Sequence, residues 1–182
     1  MVFKVKSLDL SLASTFAALT GIGAYIMIPL PFTPIPVTAQ TFFTLLSGVV
    51  LGGFRGFLSQ LIYVCLGCIG LPVFAGGKAG LPVLLGPTGG YLLGFPVSAY
   101  IVGKLVKLRR NVGFAWIFAS TIIGNLVIYF FGFLQLMFWL EVTFTEAVII
   151  GVLPFIFGDT IKAFLASIVG LRIIKIFPQL FW

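Results

Sequence analysis

The chain has 182 residues, of which 60% are hydrophobic and 16% aromatic, while only 8% are charged and none is histidine. Soluble domains carry about a quarter charged residues, so this composition excludes a soluble fold, a disordered chain, a secreted disulfide scaffold and a nucleic-acid-binding protein. The 11 basic and 4 acidic side chains leave a net charge of +7, which in a membrane chain reports orientation across the bilayer and not a polyanionic partner.

Residues 10–54 and 111–140 carry no charge at all. A helix needs roughly 20 apolar residues to cross a bilayer, and backbone in lipid must satisfy its own hydrogen bonds. The short alternating segments of a transmembrane barrel do not occur. The pattern predicts an all-α integral membrane protein, a single membrane domain over 1–182 with six transmembrane helices. The first helix is predicted over 11–30. Lys4 and Lys6 ahead of it invite comparison with a signal peptide, but the apolar stretch is long and lacks a clear cleavage site, so it is read as the first span. Pro31, Pro34 and Pro36 then break the helix, and a second runs over 37–52. The turn Gly52-Gly53-Phe54-Arg55-Gly56 leads to a third over 57–69. Residues 70–90, rich in glycine and proline, form a long non-helical loop, in which Gly70-Leu71-Pro72-Val73 is echoed by Gly80-Leu81-Pro82-Val83. A fourth helix is predicted over 91–103, a fifth over 112–140 and a sixth over 147–171. Trp116 and Trp139 fall near the two ends of the fifth, where aromatic belts belong.

Charge tests this topology independently. With both termini cytoplasmic, the inner segments carry Lys4, Lys6, Arg55, Lys104, Lys107, Arg109, Arg110, Arg172 and Lys175, whereas the outer ones carry Lys78 as their single basic residue, with Glu141 and Glu146. That asymmetry obeys the positive-inside rule. The two apolar loops, 31–36 and 70–90, then lie outside, where non-helical apolar backbone is tolerated over a buried cavity. They are read as caps on an outward-facing pocket.

Two charges remain within the sixth helix, Asp159 and Lys162. Three residues apart, they share a helix face. Each costs roughly 2.5–3.5 kcal/mol at the bilayer centre on insertion scales, so an interior polar site is expected around them, either for a ligand or as a helix-locking pair. Asn125 lies at similar depth in the fifth helix, as a ligand contact or an interhelical hydrogen bond. Gln40 at the outer end of the second helix and Thr88 at the start of the fourth are further candidates. Thr88 qualifies because free amides at a helix start favour anionic groups. Lys78, in the lid loop, is left outside the site. Small residues at spacing four, Ala13, Ala17 and Gly21, then Gly48 and Gly52, then Gly90 and Gly94, allow close helix approach; on the first helix such a stripe also suits docking of another membrane protein. Cys65 and Cys68 lack further metal ligands and are read as packing residues. With no histidine and no G-x-x-x-x-G-K-[S/T], neither a conventional nucleophile–base pair nor ATP hydrolysis is expected. No enzyme activity, cofactor or metal is predicted. At this size the chain is expected to act with partners or as an oligomer.

Three segments together resemble the BioY family: Leu71-Pro72-Val73-Phe74-Ala75-Gly76-Gly77, the run Leu85-Gly86-Pro87-Thr88-Gly89-Gly90-Tyr91-Leu92-Leu93-Gly94-Phe95, and Pro34 to Phe42, joined by Gly158-Asp159-x-x-Lys162. These are biotin-specific substrate-binding (S) components of energy-coupling factor (ECF) transporters. The resemblance covers essentially the whole chain. It implies high-affinity biotin capture at the outer face of the cell membrane and delivery with an energising module of one transmembrane coupling subunit and two ABC-type ATPases. It implies that Asp159 and Lys162 contact biotin, with Tyr91 and Gln40 close by, and that Ala13 and Ala17 face the coupling subunit. Phe74 and Tyr91 suit the apolar bicycle of biotin. The alternatives are an S component for another vitamin, or a non-catalytic membrane scaffold.

Overall fold

The computed structural model describes residues 7–109 and 111–178; Lys4, Lys6 and Arg110 lie outside the described residues. These form α1 (Ser7–Tyr25), α2 (Gln40–Leu51), α3 (Gly53–Cys68), α4 (Leu81–Leu85), α5 (Gly89–Lys107), α6 (Phe114–Leu140), α7 (Phe144–Gly151) and α8 (Leu153–Ile176). Between α1 and α2, β1 (Met27–Ile28) and β2 (Val37–Thr38) pair antiparallel. The fold is all-α apart from this small ribbon. Among the described residues, α1, α5, α6 and α8 are long and apolar enough to cross a membrane. With 12 and 16 residues, α2 and α3 rise only about 18 and 24 Å, short of a hydrocarbon core about 30 Å thick.

Two predicted helices are corrected. The first ends at Tyr25 and not at residue 30, because Met27 and Ile28 pair with Thr38 and Val37. Pro29 also disfavours helix at Ile28. The predicted sixth helix is two helices meeting at Val152. Pro154 sits in the first turn of α8, where its missing N–H costs nothing but where a continuous helix would lose a bond and clash. The preceding α7 has its own start signal. Thr143 accepts from the backbone of Glu146 and donates back through N–H and Oγ1, at 2.9 and 2.8 Å. Those two donations, the backbone one first, hold the Glu146 carboxyl below the usual carboxylate range. The long loop is also less irregular than predicted, containing a 3₁₀ turn at Ala75–Gly77 and the short α4.

Helix α5 lies at the centre, packed on α2, α3 and α6; α8 packs on α2 and α6, and α1 on α2 and α3. Small residues permit these approaches. A Cβ on Gly48 would lie 2.6 Å from the Ala99 carbonyl oxygen of α5, and one on Gly103 would overlap the backbone of Gly52 and Gly53. Ala13 and Ala17 belong to the same internal packing, only 0% and 2% exposed. The stripe expected to face a partner is inside the bundle, because small side chains are what let α1 approach it. A buried polar knot adds direction to the packing. Gln60 of α3 accepts from Thr44 at 3.1 Å and donates to Thr20 and Ser47 at 3.1 and 3.3 Å, tying α1, α2 and α3 together.

The bundle has two chemically distinct ends. At one, Arg55 meets Asp9 at 2.6 Å, and the side chains of Lys104 and Lys107 lie over Gly53 and Gly52. The starts of α1 and α3 and the end of α5 therefore meet at a basic end. Helices α2 and α5 begin at the opposite end, under the two long loops, and that is where the site lies.

Candidate functional site

A cavity of about 300 Å³ opens beneath the hairpin and the long loop, the lower end of the range for small-ligand sites. Its wall is largely apolar and includes five aromatic rings. Tyr91 and Phe95 come from α5, Tyr129 from α6, Phe155 from α8 and Phe74 from the long loop. Phe74 is wholly buried, seated on Gly67 of α3, where any side chain would overlap its ring. It meets Tyr63 edge-on at 5.8 Å between centroids. Tyr91 uses its hydroxyl on the Gly151 carbonyl, 2.7 Å away, so its ring faces the cavity while its polar tip anchors the end of α7.

The polar part of the wall centres on Asp159, 4% exposed. Its Oδ1 accepts from Lys162 Nζ at 2.5 Å and from Thr41 at 3.2 Å. Its Oδ2 accepts from the Tyr129 hydroxyl at 2.7 Å. A carboxylate offers about four lone-pair sites, so the group is well held with acceptor capacity to spare. Lys162 also donates to the Thr38 carbonyl at 2.8 Å. From there the bonds continue: Thr38 Oγ1 donates to Gln40 Oε1 at 2.9 Å, Gln40 Nε2 donates to the Tyr63 hydroxyl, and Tyr63 donates to the Val73 carbonyl at 3.0 Å. One unbroken chain thus runs from the buried ion pair through the hairpin to the long loop. It joins hydrogen-bond partners that the apolar surroundings would otherwise leave costly.

The BioY family model matches residues 1–179. The chain belongs to the BioY family. It is 43% identical over 172 residues to the probable biotin transporter BioY of Pyrococcus horikoshii, covering 93% of this chain and 98% of that protein. It is likewise 43% identical over 164 residues to the biotin transporter BioY of Thermotoga maritima, with 90% and 94% covered. Its fold matches the crystal structure of the S-component for biotin from an ECF-type ABC transporter with a TM-score of 0.86, 29% identity, and 96% and 95% of the two chains covered. As a BioY protein with four helices of spanning length, it is a multi-pass membrane protein of the cell membrane.

Of the residues expected at the site in this BioY chain, Asp159, Lys162, Tyr91, Gln40, Thr88 and Phe74 all line the one cavity. Asn125 does not. It stands behind the wall, donating through Nδ2 to the Asp159 backbone carbonyl at 3.1 Å, with Oδ1 buried and lacking a partner among the described residues. Depth along α6 matched Asp159, but depth does not say which side of α8 a side chain meets. Tyr129, Thr41 and Lys78 were missed. Tyr129 lies one turn beyond Asn125, on the same face, and that spacing was the available signal. Phe95 and Phe155 stand in the same relation to Tyr91 and Asp159. Lys78, set aside as a lid residue, lines the cavity.

Proposed function

We propose that this chain captures biotin at the outer face and passes it across the membrane as the substrate-binding component of an ECF-type ABC transporter. The observation that carries this reading is the cavity itself: an apolar slot with five aromatic rings, in which the ion pair Asp159–Lys162 lies among hydroxyl donors, in a chain of a family whose relatives are named biotin transporters. Biotin combines an apolar bicycle, a ureido group with two N–H donors and one acceptor, and a carboxylate on an aliphatic tail. Asp159 has acceptor capacity left for ureido N–H groups, Lys162 can serve the ureido oxygen, and Phe74, Tyr91, Phe95 and Phe155 suit the bicycle.

The same reading takes the chain to cross the membrane six times, with α2 and α3 completed by the hairpin and the lid loop, and with both termini inside. It assigns energy input to partners, a transmembrane coupling subunit and two ABC-type ATPases, since this chain carries no phosphate-binding loop of its own. The chain purified in detergent is expected to release biotin on denaturation, identified by mass spectrometry. Asp159→Asn, which removes a charge-assisted bond worth about 1.5–3 kcal/mol, is expected to weaken calorimetric biotin binding by at least about tenfold. Release of a different vitamin, or undiminished biotin binding by Asp159→Asn, overturns the reading.

A further inference from the structure

The cavity is lined by three side chains that carry charge at neutral pH: Asp159, Lys162 and Lys78. The first two cancel, at 2.5 Å from one another, with Asp159 buried and Lys162 half-buried. Lys78 has no such match. It is exposed, and among the described residues it makes no ion pair. The cavity therefore carries one unbalanced positive charge, and it sits at the mouth and not at the floor.

Its placement is built and not incidental. The Lys78 carbonyl accepts from the Phe74 N–H at 3.0 Å, closing a bridge between the two residues, and Phe74 is wholly buried on Gly67. Between them the 3₁₀ turn passes through Gly76 and Gly77 at φ of 71° and 73°, a left-handed path that suits glycine. The backbone from which the ammonium swings is thus clamped to the cavity wall. A flexible cation on a fixed base at the rim is suited to an anion that arrives from outside and stays near water.

We infer that Lys78 reads the carboxylate of the ligand and is the residue that makes this site prefer the free acid over its neutral derivatives. The inference rests on the biotin reading above. Biotin has two unlike polar ends: its ureido ring is neutral and needs hydrogen-bond partners, which Asp159 and Lys162 supply in the interior. Its carboxylate lies at the far end of the tail and is costly to bury without a cation. Asp159 at depth and Lys78 at the mouth match those two ends in that order. An exposed pair contributes modestly and is screened by salt, so Lys78 acts on discrimination more than on total affinity.

The test compares biotin with its primary amide and methyl ester on the full chain in nanodiscs, by calorimetry. Wild type is expected to bind biotin about fivefold more tightly than either neutral derivative at low salt, with the preference shrinking near 1 M salt, where the screening length falls to about 3 Å. Lys78→Gln is expected to bind all three ligands alike, by weakening biotin alone, and Lys78→Arg to restore the preference. Binding of the amide by Lys78→Gln at wild-type strength shows that the fold and the lid are intact. Loss of all three ligands in Lys78→Gln overturns the inference in favour of a lid-holding role, as does an acid preference that survives the substitution. A wild type that binds biotin without preferring the acid also overturns it, leaving the biotin reading standing. A wild type that binds none of the three removes the biotin reading and the inference with it.

Discussion

Asp159 and Lys162 are tolerated inside the membrane only as a pair. Removing one partner strands the other charge in a buried position, which costs about 3–5 kcal/mol, whereas replacing both by apolar groups is often neutral. Lys162→Met and Asp159→Leu are each expected to lower the unfolding temperature of the ligand-free protein in detergent by several degrees. The double variant is expected to recover most of that loss while binding no biotin. If the double variant is as unstable as the two single losses combined, the pair contributes to folding in a way this picture omits. The pair was legible in the sequence because charge is so scarce there that two ionisable residues within a span stand out. Of the hydroxyls that complete it, Tyr129 was marked only by its spacing one turn from Asn125, and Thr41 was not legible, since uncharged polar side chains occur throughout the helices and only the packing selects among them. Lys78 was visible as the lone outer cation, but a loop residue has no helical face from which its direction can be read.

A helix face is a statement about two surfaces, and α1 shows how easily they are exchanged. The spacing of Ala13 and Ala17 suits internal packing or docking alike, and the resemblance to BioY implies docking, yet both are buried within this chain. The surface α1 turns outward carries Ser11, Ser14, Thr15 and Ala18, also small. Each face has its own test. Ala13→Leu and Ala17→Leu force extra methylenes into a packed junction, at about 1–3 kcal/mol each, and are expected to lower the yield of folded protein. Ser14→Leu and Ala18→Leu are expected to leave folding and biotin binding unchanged and to reduce recovery of the chain with the coupling subunit proposed above. Equal recovery of wild type and these outer variants would remove α1 from the partner interface. The remaining errors at this scale have a common source. Pro29 and Pro154 both lay inside predicted helices, and in both places the chain obeyed the proline and not the apolar run. The order of the long helices was legible from hydropathy, but their number was not, since α4 forms inside the predicted loop and the predicted sixth helix divides into α7 and α8; helix ends were set by prolines and by the hairpin pairing of β1 with β2.

For the whole molecule, the governing fact is that basic residues and the cavity occupy opposite ends. Arg55, Lys104 and Lys107 gather where α1 and α3 start and α5 ends, while α8 carries Asp159 and Lys162 on the cavity and Arg172 and Lys175 on its far turns. Under the positive-inside rule this is the arrangement that the proposed outward-facing cavity requires, and side chains hold the segments above it. Tyr25 donates to the Pro72 carbonyl at 2.5 Å, Lys162 to that of Thr38, and Gln135 to those of Leu84 and Gly86 at 2.8 and 2.7 Å. All are side-chain bonds to backbone carbonyls of the hairpin and of the segment between α3 and α5, which can be remade one at a time without unfolding a long helix. Single cysteines test the orientation, starting from a Cys65→Ala/Cys68→Ala background. That background is expected to bind biotin normally, since neither thiol lines the cavity. In intact cells a membrane-impermeant maleimide is expected to label Lys78→Cys and to leave Arg172→Cys unlabelled until the membrane is opened. Added biotin is expected to slow labelling at Lys78→Cys, because that position lines the cavity and a ligand seated there shields it. Labelling of Arg172→Cys from outside would invert the molecule. Labelling at residue 78 that ignores biotin would mean that bound biotin does not reach the mouth of the cavity.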